Sequence, residues 1–349
     1  LTSPVKHLVR RSEAQRGEEK LRSLARIAEV YETQINDDTE AIRRYKDVVA
    51  LDAHHAESLR GLDRVYSKLG RFQDLRENLR AQIEAAATPR QKVTLWERIA
   101  ALYEEEFLDP KEAAEAFESV LKLDASNENA MTALVRLYRG LERWEDVASI
   151  YERHTKLVTE TPRRLALLLA RAKVLAEQIG SPDRAIAVYE QALEIDAHHP
   201  VAMETLAKLR ESSGDSGAAV AAIEALAAKA ATPEARAEQW VRAAKLLESR
   251  GDKDGAIARF QKALDANPKD ASASQALRAA FAARGDHNAA VQLIERELSQ
   301  TEGELAKAKL SGQLARLLRD GVRDDKRAEE AGRRALAFDP TNLDALFGL

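Results

Sequence analysis

Nine basic residues stand out for the chemistry they could do: Arg60, Arg64, Arg98, Arg136, Arg139, Lys173, Lys208, Arg242 and Lys245. They recur in register on successive helical segments, so they would form one row. A guanidinium presents its donors as a planar fork that meets a carboxylate with two parallel hydrogen bonds. The chemistry on offer is recognition of acidic groups, not bond making. Acidic residues are interleaved with the row, namely Glu57, Glu97, Glu104, Glu105, Glu204, Glu211 and Glu238. Exposed ion pairs contribute little net energy, so the competing reading is a solvated surface of charges that pair with one another.

Other candidates for chemistry are weaker. His54-His55 and His198-His199 suggest a metal, but adjacent histidines in a turn point apart and no third ligand stands at a fixed spacing. Asp252, Asp254 and Gly255 lack the ligand spacing and the later Glu of a calcium loop. No phosphate-binding loop, dinucleotide fingerprint, zinc-protease helix or nucleophile elbow occurs. The chain contains no cysteine, which removes disulfides, zinc thiolates and thiol nucleophiles. No catalytic residue, cofactor or metal is expected. Trp96 and Trp240 sit at helical spacing with other apolar residues and read as interior, not as exposed recognition aromatics; the Ala-rich stretch 218–231 reads as a closely packed helix and not a membrane-surface one.

Composition narrows the class. Ala is abundant and aromatics are 5% of the 349 residues, which favours helix over sheet. Net charge is −4 with 32% charged residues, against the basic balance of a nucleic-acid binder. Apolar runs fall far short of the ~20 residues needed to span a bilayer. No membrane insertion is expected, and the cytoplasm is the favoured compartment.

The elements that carry the row repeat. Asp52, Asp124, Asp196, Asn267 and Asp339 follow one another at intervals of 72, 72, 71 and 72. Tyr45, Phe117, Tyr189 and Phe260 precede them in register, with Gly332 in the fifth place. Each period holds two helical hairpins, giving double units at 17–88, 89–161, 162–232, 233–303 and the incomplete 304–349. The best-formed hairpin is 237–270: Trp240, Ala243, Ala244 and Leu247 on one face, a Gly251-Asp252 break, then Ala256, Phe260, Ala263 and Leu264, ended by Pro268. Small Ala244 and Ala256 allow the two helices to approach closely. The single 71 interval is traced to a turn at Gly251 one residue shorter than its counterparts. Thr88-Pro89-Arg90-Gln91 spells a capping box, Thr161-Pro162 and Thr232-Pro233 repeat its start, and Asp270 and Asn342 are further N-caps. Residues 5–15 and 343–349 read as halves of further hairpins, so the chain is expected to be a window on a longer array.

Trp240, Ala244, Gly251, Ala256, Phe260, Ala263 and Pro268 resemble the signature of the tetratricopeptide repeat, and the resemblance covers essentially the whole chain as about eight complete hairpins. It is weaker where Asp63 and Arg278 replace the usual small residue and where Gly332 replaces the aromatic. The resemblance implies an all-α, right-handed α-solenoid of stacked helix-turn-helix repeats whose first helices line a concave groove. It implies a non-catalytic scaffold that binds a partner peptide or helix; the repeat register places the nine cations toward the groove, and their charge matches an acidic segment. The two-carboxylate clamp of chaperone-binding members is not carried over, because Arg64, Arg136 and Lys208 stand where an Asn is required. Two other readings stay open: a regulatory array of a larger enzyme or signalling protein, and a structural solenoid that self-associates through its terminal repeats.

Overall fold

The computed structural model describes Ser12 and residues 15–342. Among the described residues it holds eighteen α-helices and no strand. The chain divides between Ser181 and Pro182 into two compact bodies. The first contains α1 (Gly17–Val30), α2 (Asp38–Leu51), α3 (Ala56–Leu69), α4 (Phe72–Ala85), α5 (Pro89–Glu105), α6 (Pro110–Leu123), α7 (Glu128–Gly140), α8 (Trp144–Leu157) and α9 (Thr161–Glu177). The second contains α10 (Pro182–Ile195), α11 (Pro200–Ser212), α12 (Ser216–Lys229), α13 (Pro233–Ser249), α14 (Lys253–Ala266), α15 (Ala271–Arg284), α16 (His287–Gln300), α17 (Glu304–Leu317) and α18 (Asp325–Phe338). Within each body consecutive helices form hairpins that stack on one another. The expected half-hairpins at 5–15 and 343–349 fall, apart from Ser12 and Gln15, outside the described residues, as does the helix that Asn342 is expected to cap.

Local chemistry explains the period. Helices α2, α6, α10, α14 and α18 begin at Asp38, Pro110, Pro182, Lys253 and Asp325, again 72, 72, 71 and 72 apart. Four residues join α5 to α6 and three join α13 to α14, so the missing residue lies in the turn. The periodic Asp/Asn residues make the same turn each time. The side-chain oxygen accepts from the backbone N–H two residues on: His54 to Asp52 at 3.0 Å, Ser126 to Asp124 at 3.0 Å, His198 to Asp196 at 3.1 Å, Lys269 to Asn267 at 3.2 Å and Thr341 to Asp339 at 2.9 Å. Three residues after the first four of these comes an N-cap. His55 and His199 accept through Nδ1 from Ser58 and Ala202, and Asn127 and Asp270 accept from Ala130 and Ala273. The paired histidines are thus turn and cap residues. The Thr88–Gln91 capping box forms, and Thr232 caps α13. Thr161 does not cap: it is already the first residue of α9, and Glu160 stands before it without a side-chain cap bond.

The turns between the first and second helices carry one left-handed residue each. In the first hairpin of each period these are Asn36, Leu108, Gly180, Gly251 and Arg323; in the second, Gly70, Glu142, Gly214 and Gly285. Leu108, at φ 52° and largely exposed, has no side-chain reason to be there. The left-handed region costs an ordinary L-residue ~1–2 kcal/mol, partly offset in glycine by its freer unfolded chain. Leu108→Gly is therefore expected to raise stability by about 0.5–1 kcal/mol, read as a higher urea midpoint at unchanged slope.

The interior is built from small residues and a few large ones. Around Phe260, which is 0% exposed, lie Ala244, Leu247, Ala256, Ile257, Leu277 and Phe281. Trp96 and Trp240, expected in the interior, are only partly buried. Beside Trp240 the buried places belong to Ala237, Ala263 and Ala273, whose small size holds the helices too close to admit an indole between them. The ring covers them from the edge, with Lys262 Nζ 4.4 Å above it. The two weak signature positions are satisfied by partners: Asp63 receives Arg98 and Gln82, and Arg278 pairs with Glu297.

His154 on α8 is buried, its Nε2 4.0 Å from a Glu128 oxygen and without a hydrogen bond among the described residues. Burial, then the nearby Arg163 charge, push its imidazole below the ordinary range, with Glu128 opposing. The unfolded chain therefore takes up this proton at a pH where the folded chain still resists it. The stability tied to the neutral imidazole is full above about pH 6.5 and is lost as pH falls below it. His154→Gln, which installs the residue found one period earlier as Gln82, is expected to flatten the change in urea midpoint between about pH 7.5 and about pH 5.

Candidate interaction surface

By the repeat register all nine candidate cations fall on first helices. In the first body Arg60 and Arg64 are on α3, Arg98 on α5, Arg136 and Arg139 on α7, and Lys173 on α9. In the second, Lys208 is on α11, and Arg242 and Lys245 are on α13. The structure sorts them into two kinds.

Four are tied to acids across helices. Arg64 grips Glu32 through Nε at 2.8 Å and Nη2 at 2.7 Å. The Tyr45 hydroxyl donates to the same carboxylate at 2.7 Å. Burial pushes the Glu32 carboxyl up, but the Arg64 and Tyr45 hydrogen bonds and the Arg64 charge outweigh it and hold the group below the ordinary range. Burial and then the bond to Glu32 push the Tyr45 phenol well up, so it stays a donor. Arg98 binds both oxygens of Asp63, at 2.5 and 2.7 Å, while Gln82 donates to it at 2.9 Å. Burial raises the Asp63 carboxyl; the Arg98 and Gln82 bonds prevail and lower it. Arg136 pairs with Glu104. Arg242 meets Glu211 at 2.7 and 3.0 Å and Glu204 at 3.2 Å. Glu32–Arg64 and Glu104–Arg136 are one interaction repeated a period apart; in the third copy Ala176 replaces the acid, and Lys208 turns to Glu204 on its own helix at 3.2 Å.

The others stay on the surface. Arg60 and Lys245 are exposed and make no ion pair among the described residues. Arg139 donates to the Tyr151 hydroxyl at 2.9 Å, and Lys173 is 3.9 Å from Glu177 one turn along its helix. Of these, Arg60 joins Arg64, Arg22 and Arg26 around one pocket of about 350 Å³, with Tyr45, Glu29 and Glu57 also on its wall. The acids Glu32 and Asp63, absent from the sequence-based set, turn out to be principal partners. The signal for Glu32 was available: an acid and a base 32 apart occur at 32/64 and again at 104/136. Among the described residues no group of three His, Cys, Asp or Glu side chains is placed to hold a metal ion, and no helix is long and apolar enough to cross a membrane.

This is an all-α repeat protein of stacked helical hairpins with a charged first-helix surface. Models of the tetratricopeptide repeat match residues 130–165, 178–239 and 237–270, and the chain is a tetratricopeptide repeat array. Repeats of this family generally bind proteins or peptides and are generally non-catalytic. The comparison with curated proteins returned no match. Among solved structures, the C-terminal part of a tetratricopeptide repeat-containing protein from Cytophaga hutchinsonii is similar, with 19% identity over 72% of this chain and 98% of that one and a TM-score of 0.39. YrrB, described as a tetratricopeptide repeat protein with an unusual peptide-binding site, shows 18% identity over 53% and 91%, at 0.33. Naa15/Naa10 bound to HypK-THB shows 15% over 94% and 60%, at 0.44. Such distant likenesses carry no information about partners.

Proposed function

We propose that the chain is a non-catalytic scaffold whose first-helix surface receives an extended acidic segment of a partner protein. The division among the nine cations supports this reading. Arg64, Arg98, Arg136 and Arg242 spend their forks on acids of neighbouring helices and hold successive helices in register. Arg60, Arg139, Lys173, Lys208 and Lys245 keep exposed charge on α3, α7, α9, α11 and α13 and are the groups a partner carboxylate can reach. A groove lined by first helices suits an extended chain, since many weak contacts along it sum to useful affinity. The interleaved glutamates keep each contact weak and favour a partner whose carboxylates are spaced along several hairpins.

The test is fluorescence anisotropy with a labelled dodecapeptide of alternating glutamate and glycine and its lysine-glycine counterpart. The acidic peptide is expected to bind, with affinity falling about tenfold or more when Arg60, Arg139 and Lys245 are reversed to glutamate, and falling again as salt screens the contacts. Equal binding of both peptides, or no loss in the reversed variant, overturns the proposal.

A further inference from the structure

Arg60 is shared by two cavities of the first body. On one side is the arginine-lined pocket already described. On the other is a hollow of about 470 Å³ between α3, the end of α4 and α5, with apolar walls from Leu59, Ala85, Ala86, Ala87 and Leu95. The repeat itself shows what such a hollow accommodates. One period on, the place of Ala86 is taken by Val158, with nearly the same backbone (φ −80°, ψ 124° against φ −69°, ψ 127°), and Val158 is buried. Ala85 corresponds to Leu157, which is exposed, and Leu59 to Met131, both buried, so the difference in filling lies at Ala86 and Val158. The first copy has cut that filling side chain back to a methyl group and left its space open. At the position of Arg60 the later copies carry Thr132, Glu204 and Gln275, so the open hollow and the arginine coincide in this copy.

We propose that this junction is a bipartite peptide site, taking one apolar side chain of valine-to-leucine size into the Ala85–Ala87 hollow and an adjoining carboxylate onto Arg60. The inference rests on the acidic-segment reading above and adds a specificity element to it. The apolar side chain supplies what Val158 supplies internally at the next junction. Arg60 has its fork available for the carboxylate, whereas Arg22 and Arg26 are engaged by Glu18 and Glu29 and Arg64 by Glu32. Glu57 on the same wall disfavours a long run of acids, so the matching motif is short: an apolar residue with one or two acids directly after it.

The test uses the full chain and a labelled peptide Gly-Ser-Gly-Leu-Glu-Asp-Gly-Ser, with two controls in which the leucine is alanine or the acids are their amides. The leucine peptide is expected to bind about tenfold more tightly than either control. Ala86→Val, which fills the hollow in a conformation valine already adopts at Val158, and Arg60→Gln are each expected to remove about tenfold of that affinity while leaving the melting temperature unchanged. Equal binding of the leucine and alanine peptides, or wild-type binding by Ala86→Val, overturns the site. If that happens while the glutamate-glycine peptide still binds, the bipartite site alone fails; if neither peptide binds, the acidic-segment reading fails with it.

Discussion

Replacing Phe260 with alanine is expected to cost the second body about 3–5 kcal/mol. The ring is wholly buried among Ala244, Ala256, Leu277 and Phe281. Its neighbours on α13 and α14 are Ala244 and Ala256 beside the longer Leu247 and Ile257, and how far those two relax into the void sets where in that range the cost falls. Hydrogen exchange resolved along the chain checks both size and place: protection falls in α13 to α15, while α1 to α5 of the first body keep theirs. Loss spread evenly over both bodies would contradict the local origin, since repeat arrays carry stability mainly through nearest neighbours.

Gly61→Ala is expected to lower the stability of the first body by about 1–3 kcal/mol, the range for overpacking a filled site. This sign opposes helix propensity, by which alanine in a helix is better than glycine by about 1 kcal/mol. A β-carbon at Gly61 would lie 2.2 Å from the Tyr45 ring carbon that bears the hydroxyl. At the place of Gly61 the later copies carry Ala133, Thr205 and Ala276, in register with Phe117, Tyr189 and Phe260. In the first copy the hydroxyl ties Tyr45 to Glu32 and through it to Arg64. The ring cannot retreat without breaking that network. Adding Tyr45→Phe should therefore recover part of the loss, so that the double variant is less destabilised than the sum of the singles. Strict additivity in urea melts would show that the hydroxyl does not hold the ring in place.

Much of the fold was legible because the repeat writes each decision four or five times. The Asp/Asn positions at 52, 124, 196, 267 and 339 announced a turn before its hydrogen bonds were visible, and the Gly251 deletion could be located to a single turn. Helix ends were less legible where two chemistries compete. Thr161-Pro162 looks like Thr88-Pro89 and Thr232-Pro233, yet α9 starts one residue earlier and takes Thr161 into its first turn. Side-chain depth was hardest. Periodicity placed Trp240 on the right face, but whether a large ring enters a helix interface or covers its edge depends on the spacing that Ala237, Ala263 and Ala273 set from three different helices. The cationic row was read correctly to its helices. What the sequence left hidden was that four of the nine are committed to acids on neighbouring helices, because Asp63 and Arg98 meet only through the stacking of one hairpin on the next.

The division of the cations is the centre of the account, and one paired comparison tests it most directly. Two triple variants are made, Arg60/Arg139/Lys245 to glutamate and Arg64/Arg98/Arg136 to glutamate, and each is measured for melting temperature and for binding of the glutamate-glycine peptide. The first set is expected to keep its melting temperature and lose about tenfold or more in affinity. The second is expected to melt lower, because each reversal leaves Glu32, Asp63 or Glu104 facing a like charge. A first set that binds as well as the wild type, with a second set whose melting is unchanged, would contradict the account.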